Sequence, residues 1–479
     1  MFDSDSSRSG GPASLSRAPW SLVTRSGSVP SKAPSTENSW FAGLERRAPG
    51  PDLVGALDAV APEPLDDEAV VELVAAWDRV ASWARARQLE AVAVLATRPS
   101  MNPIWPAAAS VSPRQRELGI AGDELALRLR VSRHRGESMV RMACAFDRQL
   151  ADTGEALRRG LIDEAKARVV VDGLARVAIP VALEVQDRVL PTAPERTPGK
   201  LRADVQRALI ECDELDAAHR HAAAVQDRRV CRPTVLPDGM AGIYAVLPAA
   251  DAVAVDTALN DVARTARAAG DGRTVDQLRA DTFVTLVAGS TIASAAASMP
   301  RMVGLAAGAR PVRRSPSIRV TVPLSVLLGD NSVAATLEGY GAISAPDARR
   351  IAADPQSTWR RLVTDPLSAR VLEFGRRVYR PPAELADLVR ARDVTCVMTT
   401  CGARAEYCDL DHTVPFEQGG ATSPGNLGPL CRHHHLLKTH AGWRLEQSEP
   451  GEFAWTTPTG QVYPAPTTSR LAGADPPPF

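Results

Sequence analysis

The chain has 479 residues, more than one hydrophobic core usually organises, so two or three folded units are expected. Its 56 Lys and Arg balance 56 Asp and Glu, which excludes a protein that coats nucleic acid through overall basicity and leaves any such binding to local charge. The N-terminus lacks the apolar core of a secretory signal and no run reaches membrane-spanning length, so a cytoplasmic protein without membrane association is expected.

Residues 1–62 are rich in Ser, Pro and Gly and are expected to be disordered. From Asp66 the pattern changes: Val70, Leu73, Val74, Trp77, Ala81 and Ala84 recur at helical spacing until Pro99 closes the run. Similar periodicity fills 124–172 and 200–226, interrupted at Pro180, Pro191 and Pro198, so residues 63–290 read as a helical bundle. Within it, Gly122 to Ala143 has the outline of a helix-turn-helix, with Ser132 as a cap before Arg133, His134, Arg135 and Arg141. An arginine-rich solvated helix face explains the same residues more simply. The Asp238-Gly239 pair between two short apolar runs predicts a β-hairpin, and helices are expected over 250–268 and 274–288.

A basic Ala/Pro/Arg-rich link is expected at 291–317, followed at 318–391 by a small α/β connector with a strand at 318–322 and helices at 345–354 and 359–377. Between Arg349 and Arg392 stand ten arginines against five acids, a candidate for contact with a phosphate backbone. The cations of the whole chain are 52 Arg and 4 Lys, a bias that suits bidentate phosphate contacts but that a GC-rich genome produces more simply. A Cys- and His-rich module then occupies 392–447, and a closing hairpin carrying Trp455 and Tyr463 is expected before a disordered tail within 448–479. The predicted fold class is mainly α with α+β parts.

Four of the seven cysteines and five of the eight histidines fall between Cys396 and His440, a distribution that points to metal rather than disulfides. Four residues separate Cys396 from Cys401 and two separate Cys431 from His434, two close pairs suited to a tetrahedral structural Zn²⁺. Cys408 and His433 are possible substitutes for one ligand each. Downstream of Cys408, the text Asp409-Leu410-Asp411-His412 is followed by Gly419-Gly420, Asn426 and His435.

Asp411-His412, Asn426 and His435 resemble the defining residues of the HNH, or ββα-metal, nuclease family. In that family the first His ends a strand, a loop carries the Asn and a helix supplies the last His. The resemblance implies that His412 is the general base, that Asp411 and His435 hold one catalytic divalent ion (Mg²⁺, or Mn²⁺ or Ni²⁺), and that the substrate is DNA, expected to be double-stranded. It leaves Asn426 either orienting the base through its loop or lying beside the ion. Asp409, two residues from Asp411 on one strand face, is a rival or a helper. Lys438 could touch phosphate or complement the helix C-terminus.

The wider chain resembles actinobacterial proteins in which a helical "domain of unknown function 222" precedes an HNH nuclease. The supporting stretches are ADTFVTLV from Ala280, GYGAISAPDARRIAAD from Gly339, VYRPPAELADLVRARDVTC from Val378 and CDLDHTVPF from Cys408. Two readings compete with an active endonuclease: a catalytically inactive HNH-fold protein that binds DNA or regulates a mobile element, and a zinc-dependent interaction module with purely structural histidines.

Overall fold

A computed structural model of the chain describes residues 44, 47–107, 109–288, 320–322, 324–329, 334–337, 340–353 and 380–465. The expected basic link, the helix expected over 359–377 and the tail after 465 lie outside the described residues. The chain divides into two compact units between Trp77 and Asp78.

In the first unit Pro51 opens α1 (Pro51–Asp58), whose Leu53 and Leu57 lie one turn apart and are buried. This helix falls inside the segment expected to be disordered. A helix-starting proline and two leucines at i, i+4 offset the entropy of ordering where the average composition suggested that nothing would. α2 (Asp67–Ala96) starts where the Asp66 carboxylate accepts from Ala69 N at 2.9 Å, and it continues into the second unit.

The second unit begins as a helical bundle: α3 (Pro113–Leu118), α4 (Ala121–Leu129), α5 (Arg133–Asp147), α6 (Ala151–Arg158), α7 (Glu164–Leu174), α8 (Ile179–Val189), α9 (Pro198–Cys212) and α10 (Glu214–Gln226). Ser112, Ser132, Asp163 and Thr197 cap four of these through their side chains. Pro180 and Pro198, which look like interruptions in sequence, sit in the first turns of α8 and α9, where a missing N–H costs nothing.

The candidate helix-turn-helix resolves into α4 and α5, joined through Arg130 in the left-handed conformation (φ 54°). α5 is a core helix: Met139, Val140, Met142 and Ala143 are buried, and Arg133, Arg135 and Arg141 pair with Glu137, Glu164 and Asp172. Glycine at 122 and 136 permits the close crossing of α4 and α5, since a Cβ on Gly136 would lie 2.0 Å from the Gly122 carbonyl oxygen.

The predicted hairpin is two nested ladders, β1 (Arg229–Val230) with β4 (Ala245–Val246) and β2 (Thr234–Val235) with β3 (Ala241–Gly242). Asp238 and Gly239 turn it with φ of 58° and 76°, the positive values that a tight hairpin turn needs. α11 (Ala249–Ala268) and α12 (Val275–Ala288) follow. In the connector β5 (Val320–Thr321), β6 (Ala335–Leu337) and β7 (Gly341–Ile343) form an antiparallel sheet beside α13 (Leu324–Leu328) and α14 (Ala345–Ala352).

After α15 (Ala383–Asp393), β8 (Asp409–His412) pairs antiparallel with β9 (Leu427–Leu430), placing His412 opposite Leu427, and α16 (Arg432–His440) follows directly. The expected closing hairpin is a three-stranded sheet of β10 (Arg444–Glu449), β11 (Glu452–Thr456) and β12 (Val462–Ala465). Trp443 and Trp455, from the chain before β10 and from β11, are fully buried edge to face at 6.1 Å, and the Trp455 indole N–H donates to Val397 O at 3.1 Å. One apolar cluster runs from Leu89 and Met142 in the bundle to Val397, Leu436, Trp443 and Trp455. Among the described residues no helix is long and apolar enough to cross a membrane.

Candidate active site and metal centre

The β8–β9 pair and α16 bring the cysteines together. Cys396 follows the bridge between Thr395 and Arg404, Cys401 closes a turn onto Met398 O, and Cys431 stands at the N-cap of α16, one turn before His434. Donor atoms of Cys396, Cys401, Cys431 and His434 all lie within 4.8 Å of one another. His434 Nδ1 is 3.4 Å from Cys396 Sγ and 3.2 Å from Cys431 Sγ, and Cys401 Sγ is 3.9 Å from Cys431 Sγ. Zn–S bonds of about 2.3 Å and Zn–N bonds of about 2.0 Å place tetrahedral neighbours about 3.8 Å (S–S) and 3.5 Å (S–N) apart.

The protonation pattern points the same way. Cys396, then Cys431 and burial, push the Cys401 thiol far up, whereas hydrogen bonds from Cys396 and Cys401 hold Cys431 far down. The thiolate is the form that binds a metal, so a divalent ion favours ionisation of all three and releases protons on binding. This Cys₃His set fits a structural Zn²⁺. The possible substitutes are outside the four-donor set and engaged otherwise: Cys408 Sγ, beside Cys396, donates to Arg404 O at 3.2 Å, and His433 Nε2 meets Asp123 Oδ1 at 2.8 Å.

A second constellation lies across β8 and α16. Asp409 and Asp411 share one strand face, and both reach the His435 ring: Nδ1 lies 3.0 Å from Asp409 Oδ2 and Nε2 lies 3.4 Å from Asp411 Oδ1. Lys438, one turn along α16, donates to Asp411 Oδ2 at 2.5 Å and also to the His412 carbonyl. It is largely buried there, and the ammonium pins a strand carboxylate rather than complementing the helix end. His412 ends β8 in a buried position, with Nε2 at 2.9 Å from Thr422 Oγ1 and its ring edge against Phe416 at 5.8 Å. Burial lowers the His412 pKa below the ordinary imidazole value of 6.5; Asp411 pulls it back up and Lys438 lowers it further.

The loop from Thr413 to Asn426 is held by Asn426. Its Oδ1 accepts from Val414 N at 2.8 Å, and its Nδ2 donates to Val414 O at 3.0 Å and Ala421 O at 2.9 Å. The side chain is thus committed to the loop backbone. Gly420 is required by the same crossing, because a Cβ there would lie 1.8 Å from Val414 O and 2.6 Å from Asn426 Nδ2.

Arg392 clamps the far side of the loop. It forms a bidentate pair with Asp393 at 2.7 and 2.6 Å and donates to Pro424 O and Leu427 O, each at 2.7 Å. Both side chains of that pair are buried, so Arg392 leaves the set of arginines expected to meet a phosphate backbone. Arg349 is likewise engaged, donating to Val326 O at 3.0 Å. Residues 354–379 of that basic segment lie outside the described residues.

The structure therefore brings Cys396, Cys401, Cys431 and His434 to one point and Asp411 and His435 to another, with His412 and Asn426 on the adjoining strand end and loop. Sequence reasoning missed Thr422, the inward bond of Lys438 and the clamp by Arg392. The short separation of Lys438 from His435, three residues on one helix, was a usable signal for the second of these.

Comparison with known proteins agrees with this geometry. A family model described as "HNH endonuclease" matches residues 396–441, and one described as "Domain of unknown function (DUF222)" matches residues 78–393. "Uncharacterized protein Rv3776" of Mycobacterium tuberculosis is 29% identical over 442 residues, covering 85% of this chain and 80% of that protein. "Uncharacterized protein Rv2100" of the same organism is 28% identical over 453 residues, covering 85% and 79%. No solved structure matches the chain. The chain belongs to the family of proteins built on the domain of unknown function 222, and it carries an HNH endonuclease domain after it.

Proposed function

We propose that the chain is a metal-dependent endonuclease that hydrolyses phosphodiester bonds in DNA, double-stranded DNA being the expected substrate. The observation that carries this reading is the approach of Asp411 Oδ1 to His435 Nε2 at 3.4 Å, two donors from different elements converging on one point. Lys438 takes Oδ2 of Asp411, so the carboxylate offers its other oxygen. Asp409 accepts from His435 Nδ1, which fixes the tautomer whose Nε2 lone pair faces Asp411.

A hard carboxylate with one imidazole suits Mg²⁺, Mn²⁺ or Ni²⁺, and such an ion supplies positive charge against the scissile phosphate and the leaving 3′ oxygen. His412 takes the proton from the attacking water. Its buried ring stays neutral at physiological pH, as a base must, and Thr422 sets its rotation. Asn426 acts by holding the loop that carries Thr422. The products are a 5′ phosphate and a 3′ hydroxyl.

Supercoiled plasmid incubated with the full chain and Mg²⁺, Mn²⁺ or Ni²⁺ tests the reading, beside a His412→Ala variant and an EDTA control. Nicking that EDTA abolishes and His412→Ala loses is the expected result. Absence of cleavage with every metal, together with a salt-sensitive gel shift, would replace it by a protein that binds DNA without cutting.

A further inference from the structure

His434 presents Nδ1 to the cysteine sulfurs and turns its other ring nitrogen toward the helical domain. There Asp123 Oδ1, in the first turn of α4, stands 3.9 Å from His434 Nε2 and 2.8 Å from His433 Nε2. Asp123 lies some 310 residues before the adjacent His433 and His434, yet all three are enclosed: Asp123 is 5% and His434 2% exposed, and the His433 side chain is 12% exposed. The two imidazoles meet edge to face at 4.9 Å, with the one carboxylate oxygen facing both. Beside it Glu124, also buried, accepts from Thr457 at 2.9 Å and from Thr459, so the start of α4 is seated against α16 on one side and the β11–β12 turn on the other.

We infer that Asp123, hydrogen-bonded to His433 and facing Nε2 of the zinc ligand His434 at 3.9 Å, is the outer electrostatic partner of that ligand, a positioning residue contributed by the helical domain, so that loading the staple and seating this domain are one linked equilibrium. An imidazole bound to a cation through Nδ1 carries its proton on Nε2 and donates it more strongly, and carboxylates are the usual acceptors of that second N–H. The donor atoms of Asp123, His433 and His434 also lie within 4.8 Å of one another, but an ion held there would have to share the His434 imidazole with the thiolate site. The trio is therefore the outer half of the cysteine site. Linkage makes the coupling mutual: whatever Asp123 adds to zinc retention, zinc adds to the seating of α4.

The inference rests on the zinc reading of the Cys₃His site, and the experiment separates the two. Zinc-loaded full-length chain is mixed with a chromogenic chelator and the rate of zinc release is followed for wild type, Asp123→Ala, Asp123→Asn and Glu124→Gln. Asp123→Ala should release zinc about 10–100-fold faster, Asp123→Asn should fall between it and wild type, and Glu124→Gln should behave as wild type.

A second readout needs no mutation. Stripping zinc from the wild type should raise hydrogen exchange across Ala121–Leu129, a rise that is absent on stripping Asp123→Ala. Release from Asp123→Ala at the wild-type rate, or equal acceleration by Glu124→Gln, would overturn the inference, and so would α4 protection indifferent to zinc. A wild type that holds no zinc at all would overturn the staple itself, a distinguishable failure.

Discussion

Replacing Asn426 by alanine isolates what that side chain does. It removes one acceptor from Val414 N and two donors, to Val414 O and Ala421 O, without touching β8 or β9. The bonds lie near the surface, so each is worth the lower part of the usual range, about 0.5–1 kcal/mol, and the loop loses about 1.5–3 kcal/mol. At 1.4 kcal/mol per decade, the opening equilibrium rises by roughly 10–150-fold. Hydrogen exchange at Val414 N should rise at least that much, since its bond to Asn426 Oδ1 is one of those removed.

Asn426→Asp should open the loop further, because a second carboxylate oxygen would face the two carbonyls that now accept from Nδ2. Cleavage should fall with loop opening in both variants, since Ala421 adjoins Thr422, the partner of His412. Wild-type exchange at Val414 in an Asn426→Ala variant that has lost all cleavage would refute the reasoning and put the side chain on the metal or the substrate.

Burial depresses the His412 pKa, so the acid limb of kcat/KM against pH should have its midpoint below 6.5, and a midpoint above that value would contradict the assignment. Because the unfolded chain takes up this proton at higher pH than the folded one, the associated stability is complete above about 6.5 and declines as the pH falls below it, a trend that urea titrations would follow. Cys401→Ser should abolish stoichiometric zinc binding measured by atomic absorption, and unchanged stoichiometry would remove Cys401 from the ligand set. Arg392→Ala removes the bidentate partner of the buried Asp393 carboxylate and the donor to two loop carbonyls, a loss of about 3–5 kcal/mol by urea unfolding; less than about 1 kcal/mol would show that the clamp is dispensable. Gly420→Ala should cost about 1–3 kcal/mol, because the added methyl meets backbone rather than a side chain that can move, and a neutral effect would contradict that packing.

The residues readable from sequence are those whose geometry is local. Cys431 and His434 are one helical turn apart, and Asp411 and His412 are neighbours on one strand, so spacing alone nearly fixes their arrangement. Their partners were not readable. Thr422 is one polar loop residue among several, and nothing in its neighbours says that it meets His412. Asp123 reads as an acid in the first turn of a helix, a common surface preference, and its contact with His433 spans 310 residues of chain. Arg392 belongs to a basic run by count, yet the adjacent Asp393 allows it to be buried. The helix at Pro51–Asp58 escaped because composition averaged over a long segment hides two well-placed leucines.

The boundary between the two family matches falls at residues 393–396, but the apolar cluster ignores it. Leu89 and Met142 on one side and Leu436, Trp443 and Trp455 on the other belong to the same interior. The unit that a family model recognises and the unit that can fold alone therefore differ. A fragment cut at residue 394 would expose the interior face that Leu436 and its neighbours now share with the bundle, inviting aggregation. A graft of this endonuclease domain onto a foreign carrier would have to bring a matching helical surface with it. Nor can the domain swing freely on a tether, so its reach is set by where the helical domain sits.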